Sequence, residues 1–167
     1  VEDPAGGVQR LAEAKALQVA EAHPDHWVIG ADTVVVVEGR VLGKPTSVAD
    51  ARDMLRRLSG ATHQVYTGFC IVRKAGGARF CGTVCTDVTF KALTETEIEW
   101  YVHSGEPFDK AGAYAIQGLG TFLVRRIHGS YTNVVGLPVC EVLEILIREG
   151  IMGLEPPAPD PQIERQP

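Results

Sequence analysis

Residues 27–37 have the sequence W-V-I-G-A-D-T-V-V-V-V, a run of aromatic and β-branched side chains that predicts a central β-strand. Asp32 interrupts this run. Burying a carboxylate without partners is costly, so an aspartate here indicates a metal ion, a cation or a catalytic water beside it. The alternative is a strand-end aspartate that accepts hydrogen bonds from nearby backbone N–H groups. Gly30, just before it, would let a ligand or another backbone come close.

Helical and β patterns alternate around this strand. Upstream, residues 8–22 predict a helix with one apolar face, formed by Val8, Leu11, Ala12 and Val19. Downstream, apolar periodicity, caps and glycines predict these elements: a return strand at 41–42, a helix from 46 or 47 to 60, a hairpin of strands 64–73 and 80–93, a helix from Thr94 to about 105, a loop over 106–118, a strand over 121–127 and a helix over 138–149. This alternation predicts an α/β fold, in which a mixed, twisted sheet has flanking helices.

Length and charge exclude several classes of protein. The 167 residues suffice for one domain, which we expect over residues 1–150, followed by a Pro-rich, disordered tail over 151–167. A net charge of -5 without a basic stripe argues against a nucleic-acid partner. The longest apolar run is too short to span a membrane. Four cysteines without a C-x-x-C pair are expected to be reduced thiols, as in the cytoplasm.

Three lysines lie beside apolar or non-periodic sequence, at positions Lys15, Lys44 and Lys110. Lys15 falls within the apolar stripe of its helix, where it either extends past its neighbours to solvent or directs its ammonium group at an anion. Several cations and one acid suit a polyphosphate, since lysines bind phosphates while an aspartate binds magnesium or deprotonates water. Phosphoanhydride hydrolysis is therefore indicated, and the chain has no P-loop motif, G-x-G-x-x-G after a strand, or G-x-S-x-G.

Five stretches, in chain order, together resemble the Maf family of nucleoside triphosphate pyrophosphatases. They are V-I-G-A-D-T-V-V-V-V (28–37), L-G-K-P (42–45), M-L-R-R-L-S-G (54–60), E-P-F-D-K-A-G-A-Y-A-I-Q-G (106–118) and N-V-V-G-L-P (133–138). The resemblance implies a fold related to the inosine triphosphate pyrophosphatases, with two lobes around a cleft, and a homodimer. It also implies hydrolysis of a nucleoside triphosphate between the α- and β-phosphates, assisted by a divalent cation, Mg²⁺ or Mn²⁺.

The resemblance also assigns roles to residues. Asp32 matches the family's proton acceptor for the attacking water, and we expect it to bind the metal as well. Thr33 and Gln117 match positions tied to substrate selection. The phosphate-facing lysines would be Lys15, Lys44 and Lys110.

Residues 110–118 resemble the branch of the family that prefers dTTP and UTP. An amide such as that of Gln117 can both donate to and accept from the O4/N3–H edge of uracil or thymine. A preference for 7-methyl-GTP or another base within the same family remains the alternative.

One family motif, S-x-S-P-R-R, does not occur in this sequence. Its arginines would stabilise charge in the transition state. Either this segment is missing only from the chain given, or the protein is a nucleotide-binding module with impaired catalysis. A scaffold that uses the fold only for protein contacts is the third hypothesis.

Overall fold

The structure is a computed structural model that describes residues 3–155. Residues 156–167 of the predicted tail lie outside this part, and the predicted domain boundary stays a prediction. The helices and strands, in chain order, are α1 (Pro4–Ala22), β1 (Val28–Val37), β2 (Arg40–Leu42), α2 (Val48–Leu58), β3 (Thr62–Arg73), β4 (Ala78–Phe90), α3 (Glu95–His103), β5 (Val124–His128), α4 (Tyr131–Val135) and α5 (Val139–Arg148). Short 3₁₀ helices cover Glu106–Asp109, Ala111–Ala113 and Gly118–Leu123.

The strands form one sheet in the order β2-β1-β3-β4-β5. The α/β class is confirmed, but the predicted mixture of strand directions is corrected: every strand pairing among residues 3–155 is antiparallel. Strand direction depends on how the connections cross the sheet, and apolar periodicity does not encode that path. The β1–β2 turn is local, and its residues Glu38 and Gly39 both have positive φ, as a tight hairpin requires.

β1 is central along only part of its length. Its last three residues, Val35–Val37, pair with β2 on one side and lie beside β3 on the other. Residues 28–34 pair with β3 alone within the described part of the chain. Asp32 therefore lies on an open strand edge rather than inside a dry sheet.

Helix α1 covers one face of the sheet through small side chains. Its buried residues are Val8, Ala12, Ala16 and Ala20. The predicted apolar face is corrected, since Leu11 is 52% exposed and Val19 is 48% exposed. The spacing of four residues between the alanines lets the helix backbone approach the sheet closely, and this gain in packing outweighs the larger apolar side chains.

The opposite face carries the main core, which is built by α2, α3 and the segment between α3 and β5. Its largest fully buried side chains include Tyr101, Phe90, Leu55, Leu58 and Leu123. Helix α5 adds a smaller cluster on the same face, where Val142 and Leu146 pack with Phe69 and Ile71. This arrangement leaves the open edge of β1 between the two layers.

The predicted helix starts are confirmed where a side chain caps the helix. Ser47 accepts a hydrogen bond from the Asp50 backbone N–H, and Thr94 forms a capping box with Glu97. Two assignments change. The strand predicted over 121–127 begins only at Val124, because residues 118–123 form a 3₁₀ helix, and residues 106–118 contain two further 3₁₀ segments.

The cysteine prediction was wrong for one pair. Cys70 and Cys81 face each other in the β3–β4 register and form a disulfide, while Cys85 and Cys140 are free and exposed. The register of a hairpin decides which residues meet across it, and the spacing of the cysteines alone does not reveal that register.

No helix within residues 3–155 combines the length and the apolar character that crossing a membrane requires.

Candidate active site

A cavity of about 270 Å³ opens beside the free edge of β1. All the residues that the sequence singled out line it: Lys15, Asp32, Thr33, Lys44, Lys110 and Gln117. The volume lies just below the usual range for ligand pockets, so a bound nucleotide would keep part of its surface in solvent. Residues from five different parts of the chain thus converge on one cleft.

Asp32 faces Lys15 of α1 across this cleft. Their side chains form a salt bridge, in which the side chain of Asp32 is 18% exposed and that of Lys15 is 56% exposed. The Lys15 ammonium also lies 3.4 Å from the Ala31 carbonyl oxygen. Both hypotheses for Lys15 are partly answered, since the side chain is largely exposed, as an extended lysine would be, and its ammonium meets an anion, the carboxylate of Asp32.

Glycine lets α1 carry Lys15 to this position. A Cβ atom added to Gly30 would lie 2.3 Å from the Ala12 carbonyl oxygen, and one added to Gly68 would lie 2.4 Å from the Val8 carbonyl carbon. Only glycine allows a helix backbone so close to the sheet. The approach inferred from Gly30 in the sequence is therefore an approach of backbone rather than of ligand.

Thr33 is held in place from the opposite face of β1. Its Oγ1 lies 2.8 Å from the Oγ1 of Thr67, which donates a hydrogen bond of 2.9 Å to the Asn133 carbonyl oxygen. Neighbouring residues of a strand point to opposite faces, so Asp32 and Thr33 can line one cavity only where the strand edge is open. The N-V-V-G-L-P stretch thereby supports Thr33 through its first residue.

The lysines opposite β1 lie on two loops that are joined by their backbones. The Gly112 N–H donates to the Gly43 carbonyl oxygen over 3.0 Å, which ties the loop of Lys44 to the segment of Lys110. Lys110 donates a hydrogen bond of 2.7 Å to Asp109. This bond chiefly holds the pKa of the Asp109 carboxyl below its ordinary value, and the charge of Lys44 contributes to the same effect.

Two residues at the wall of the cavity were missed by the sequence analysis. Tyr114 lines the cavity, and its hydroxyl lies 2.8 Å from Nε2 of His63 on β3. Burial lowers the pKa of His63 to about 4 and raises that of Tyr114 above its ordinary value. Tyr114 lies inside the K-A-G-A-Y stretch and could have been noticed there, whereas no local signal marks His63.

The carboxylates of the cavity suit a divalent cation only together with a substrate. Within residues 3–155, no group of three or more His, Cys, Asp or Glu side chains could hold a metal ion. Two carboxylates, Asp32 and Asp109, line the cavity. Mg²⁺ is commonly bound by one or two carboxylates with substrate phosphates as further ligands, so this donor set fits it.

Comparisons with known proteins agree with this geometry. A family model described as Maf-like protein matches residues 1–149. The dTTP/UTP pyrophosphatase of Syntrophus aciditrophicus (strain SB) is 56% identical over 145 residues, which are 87% of this chain and 71% of that protein. The dTTP/UTP pyrophosphatases of Geobacter sulfurreducens and Myxococcus xanthus (strain DK1622) are 50% and 52% identical over 90% and 86% of this chain, and over 79% and 72% of their own lengths.

Proposed function

Because this chain belongs to the Maf-like protein family, we propose that it is a pyrophosphatase that hydrolyses dTTP and UTP to the nucleoside monophosphate and pyrophosphate. The observation that carries the proposal is the single cavity at which Asp32 meets three lysines and Gln117. Relatives at 50–56% identity that are named for this activity support the choice of substrates.

The lysines would bind the polyphosphate. Lys15, Lys44 and Lys110 place three ammonium groups around a cleft in a protein whose net charge is -5. A triphosphate that enters the cleft competes with Asp32 for Lys15, since it offers more negative charge than a single carboxylate. Binding would thus draw Lys15 away from Asp32 and leave that carboxylate free to accept a proton.

Asp32 would then act as the general base. It accepts a proton from a water molecule as the water oxygen forms a bond to the α-phosphorus. The bond between the α-phosphorus and the oxygen that bridges to the β-phosphorus breaks, and its electron pair leaves with pyrophosphate. The lysines stabilise the charge that develops on the departing group.

Asp32 would also hold a divalent cation, Mg²⁺ or Mn²⁺, together with phosphate oxygens of the substrate. Such a cation, when bound, neutralises phosphate charge and favours the ionised form of a water. Asp109 is the other carboxylate at the cavity, but its hydrogen bond to Lys110 makes it the weaker candidate ligand.

Thr33 and Gln117 would select the base. The amide of Gln117 can donate to O4 and accept from N3–H of uracil or thymine, a pattern that cytosine and 7-methylguanine do not present. The homodimer and the cytoplasmic location that the sequence suggested stay predictions.

The test is a comparison of substrates on the full chain. Turnover of dTTP, UTP, CTP and 7-methyl-GTP is measured in the presence of Mg²⁺, with pyrophosphate and monophosphate quantified separately. We expect equimolar monophosphate and pyrophosphate, and a higher kcat/KM for dTTP and UTP than for the other two. Nucleotide binding without turnover would favour a binding module instead, and a higher kcat/KM for 7-methyl-GTP would contradict the assigned base preference.

A further inference from the structure

Glu106 makes a set of hydrogen bonds that the proposed reaction does not use. It begins the E-P-F-D-K stretch, and its carboxylate accepts from two successive backbone amides further along the chain. The Leu119 N–H donates to Oε2 over 3.0 Å, and the Gly120 N–H donates to Oε1 over 2.9 Å. Two amides side by side match the two oxygens of one carboxylate, so a single acidic side chain fixes this turn.

Tyr101 of α3 holds the other side of the same loop. Its hydroxyl donates to Oε1 of Glu106 over 2.7 Å and accepts a hydrogen bond of 3.1 Å from the Ala115 N–H. Tyr101 is fully buried, so its position is set by the core of α3. Gln117 lies between Ala115 and Leu119, and the Glu106–Tyr101 pair therefore fastens the backbone on both sides of it.

The loop between these anchors is tightly folded. A Cβ atom added to Gly120 would lie 2.1 Å from the Ala115 carbonyl oxygen, so the two ends of the loop nearly touch. Thr121 closes it further, since its hydroxyl donates to the Gly118 carbonyl oxygen over 2.8 Å. The side chain of Gln117 is exposed at the cavity, and the backbone bonds around it are what fix its place.

We propose that Glu106 and Tyr101 are positioning residues for base selection, which hold Gln117 where it meets the pyrimidine edge. The inference rests on the proposed function and deepens it. Neither side chain lines the cavity, so both act through the loop rather than by touching substrate.

The ionised state of Glu106 suits this role. Burial of Glu106 opposes ionisation, but the hydrogen bonds from Tyr101 and from the amides of Gly120 and Leu119 outweigh burial and lower the pKa of Glu106. A glutamine in its place offers one oxygen and one N–H₂ group, so it can accept from only one of the two amides and turns a donor towards the other.

The experiment compares Glu106→Gln with Glu144→Gln, which makes the same chemical change at an exposed position of α5. Values of kcat and KM are measured for UTP and CTP. For Glu106→Gln we expect kcat within about threefold of wild type and a loss of UTP-over-CTP selectivity of about tenfold, the upper range for one hydrogen bond. Glu144→Gln should behave as wild type. Equal losses of kcat for both nucleotides with unchanged selectivity would overturn the proposal, because general loosening of the fold acts in that way.

Two further variants keep the test decisive if Glu106→Gln is poorly folded. Tyr101→Phe removes only the hydroxyl and should give the same shift in selectivity. In a Gln117→Ala background, Glu106→Gln should cost no further selectivity, because both changes act through one side chain. An additive further loss in that background would contradict the proposal. Wild-type selectivity is the reference: its absence would count against the proposed function, whereas its presence together with an unaltered Glu106→Gln would count against the positioning role alone.

Discussion

Replacing Gly30 by alanine tests the link between the packing of α1 and the site. The new Cβ would lie 2.3 Å from the Ala12 carbonyl oxygen and 2.8 Å from the Ala16 backbone nitrogen. Ordinary non-bonded contacts are about 3.5 Å, so the helix must move outward by about 1 Å. Both clashing atoms belong to the backbone, so no change of side-chain rotamer relieves them.

The expected cost follows from that displacement. Overpacking of a core lowers the free energy of unfolding by about 1–3 kcal/mol, and we expect Gly30→Ala to fall in this range. The shift also moves Lys15, which lies on α1 and pairs with Asp32. A misplacement of about 1 Å in a site can lower a rate by about a hundredfold, so kcat/KM for UTP should fall at least tenfold.

Urea unfolding followed by tryptophan fluorescence and steady-state kinetics measure these two effects. Gly7→Ala is the matched control, since Gly7 lies in α1 and a Cβ there would meet no atom within 4 Å. It should raise the free energy of unfolding by about 0.5–1 kcal/mol, as is typical of glycine to alanine in a helix. A Gly30→Ala protein as stable and as active as wild type would refute the proposed close approach.

Three further expectations concern acid stability, base selection and a helix cap. Buried His63 has a pKa of about 4, against 6.5 unfolded, so its contribution to stability is complete above pH 6.5 and is lost as pH falls towards 4. Between pH 7 and pH 5 this contribution should fall by about 2 kcal/mol, and a His63→Gln variant with an unchanged pH slope in urea titrations would argue against it. Gln117→Glu should lower the ratio of kcat/KM for UTP to that for 7-methyl-GTP about tenfold, and an unchanged ratio would remove Gln117 from base selection. Thr94→Ala breaks the capping box with Glu97 and should cost about 1 kcal/mol in urea unfolding with no change in kcat/KM, whereas equal stability would show that the cap is dispensable.

Local chemistry in the sequence predicted much of the fold. Caps such as Ser47 and the turn at Glu38 and Gly39 depend on a few neighbouring residues, and the structure has them where they were expected. Features that depend on distant partners were missed. The buried face of α1 and the pairing of Cys70 with Cys81 both depend on how whole elements dock, which no window of sequence contains.

The candidate site divides in the same way. The motifs identified the side chains at the cavity, because phosphate and base chemistry restricts which residue types serve there. The supporting contacts could not be predicted. Glu106 reaches amides 13 and 14 residues away, and His63 reaches Tyr114 across 51 residues, so only the folded chain brings these groups together.

The role of Asp32 as general base is tested most directly by Asp32→Asn. Asparagine keeps the size of the side chain but cannot accept the proton, so kcat for pyrophosphate release from UTP should fall about a thousandfold. Binding of UTP, measured by calorimetry, should stay within a few-fold of wild type, since Lys15 is then released to the phosphates. Loss of turnover with binding retained is the predicted result. A variant that turns over UTP at close to the wild-type rate would contradict it and remove Asp32 from the chemistry.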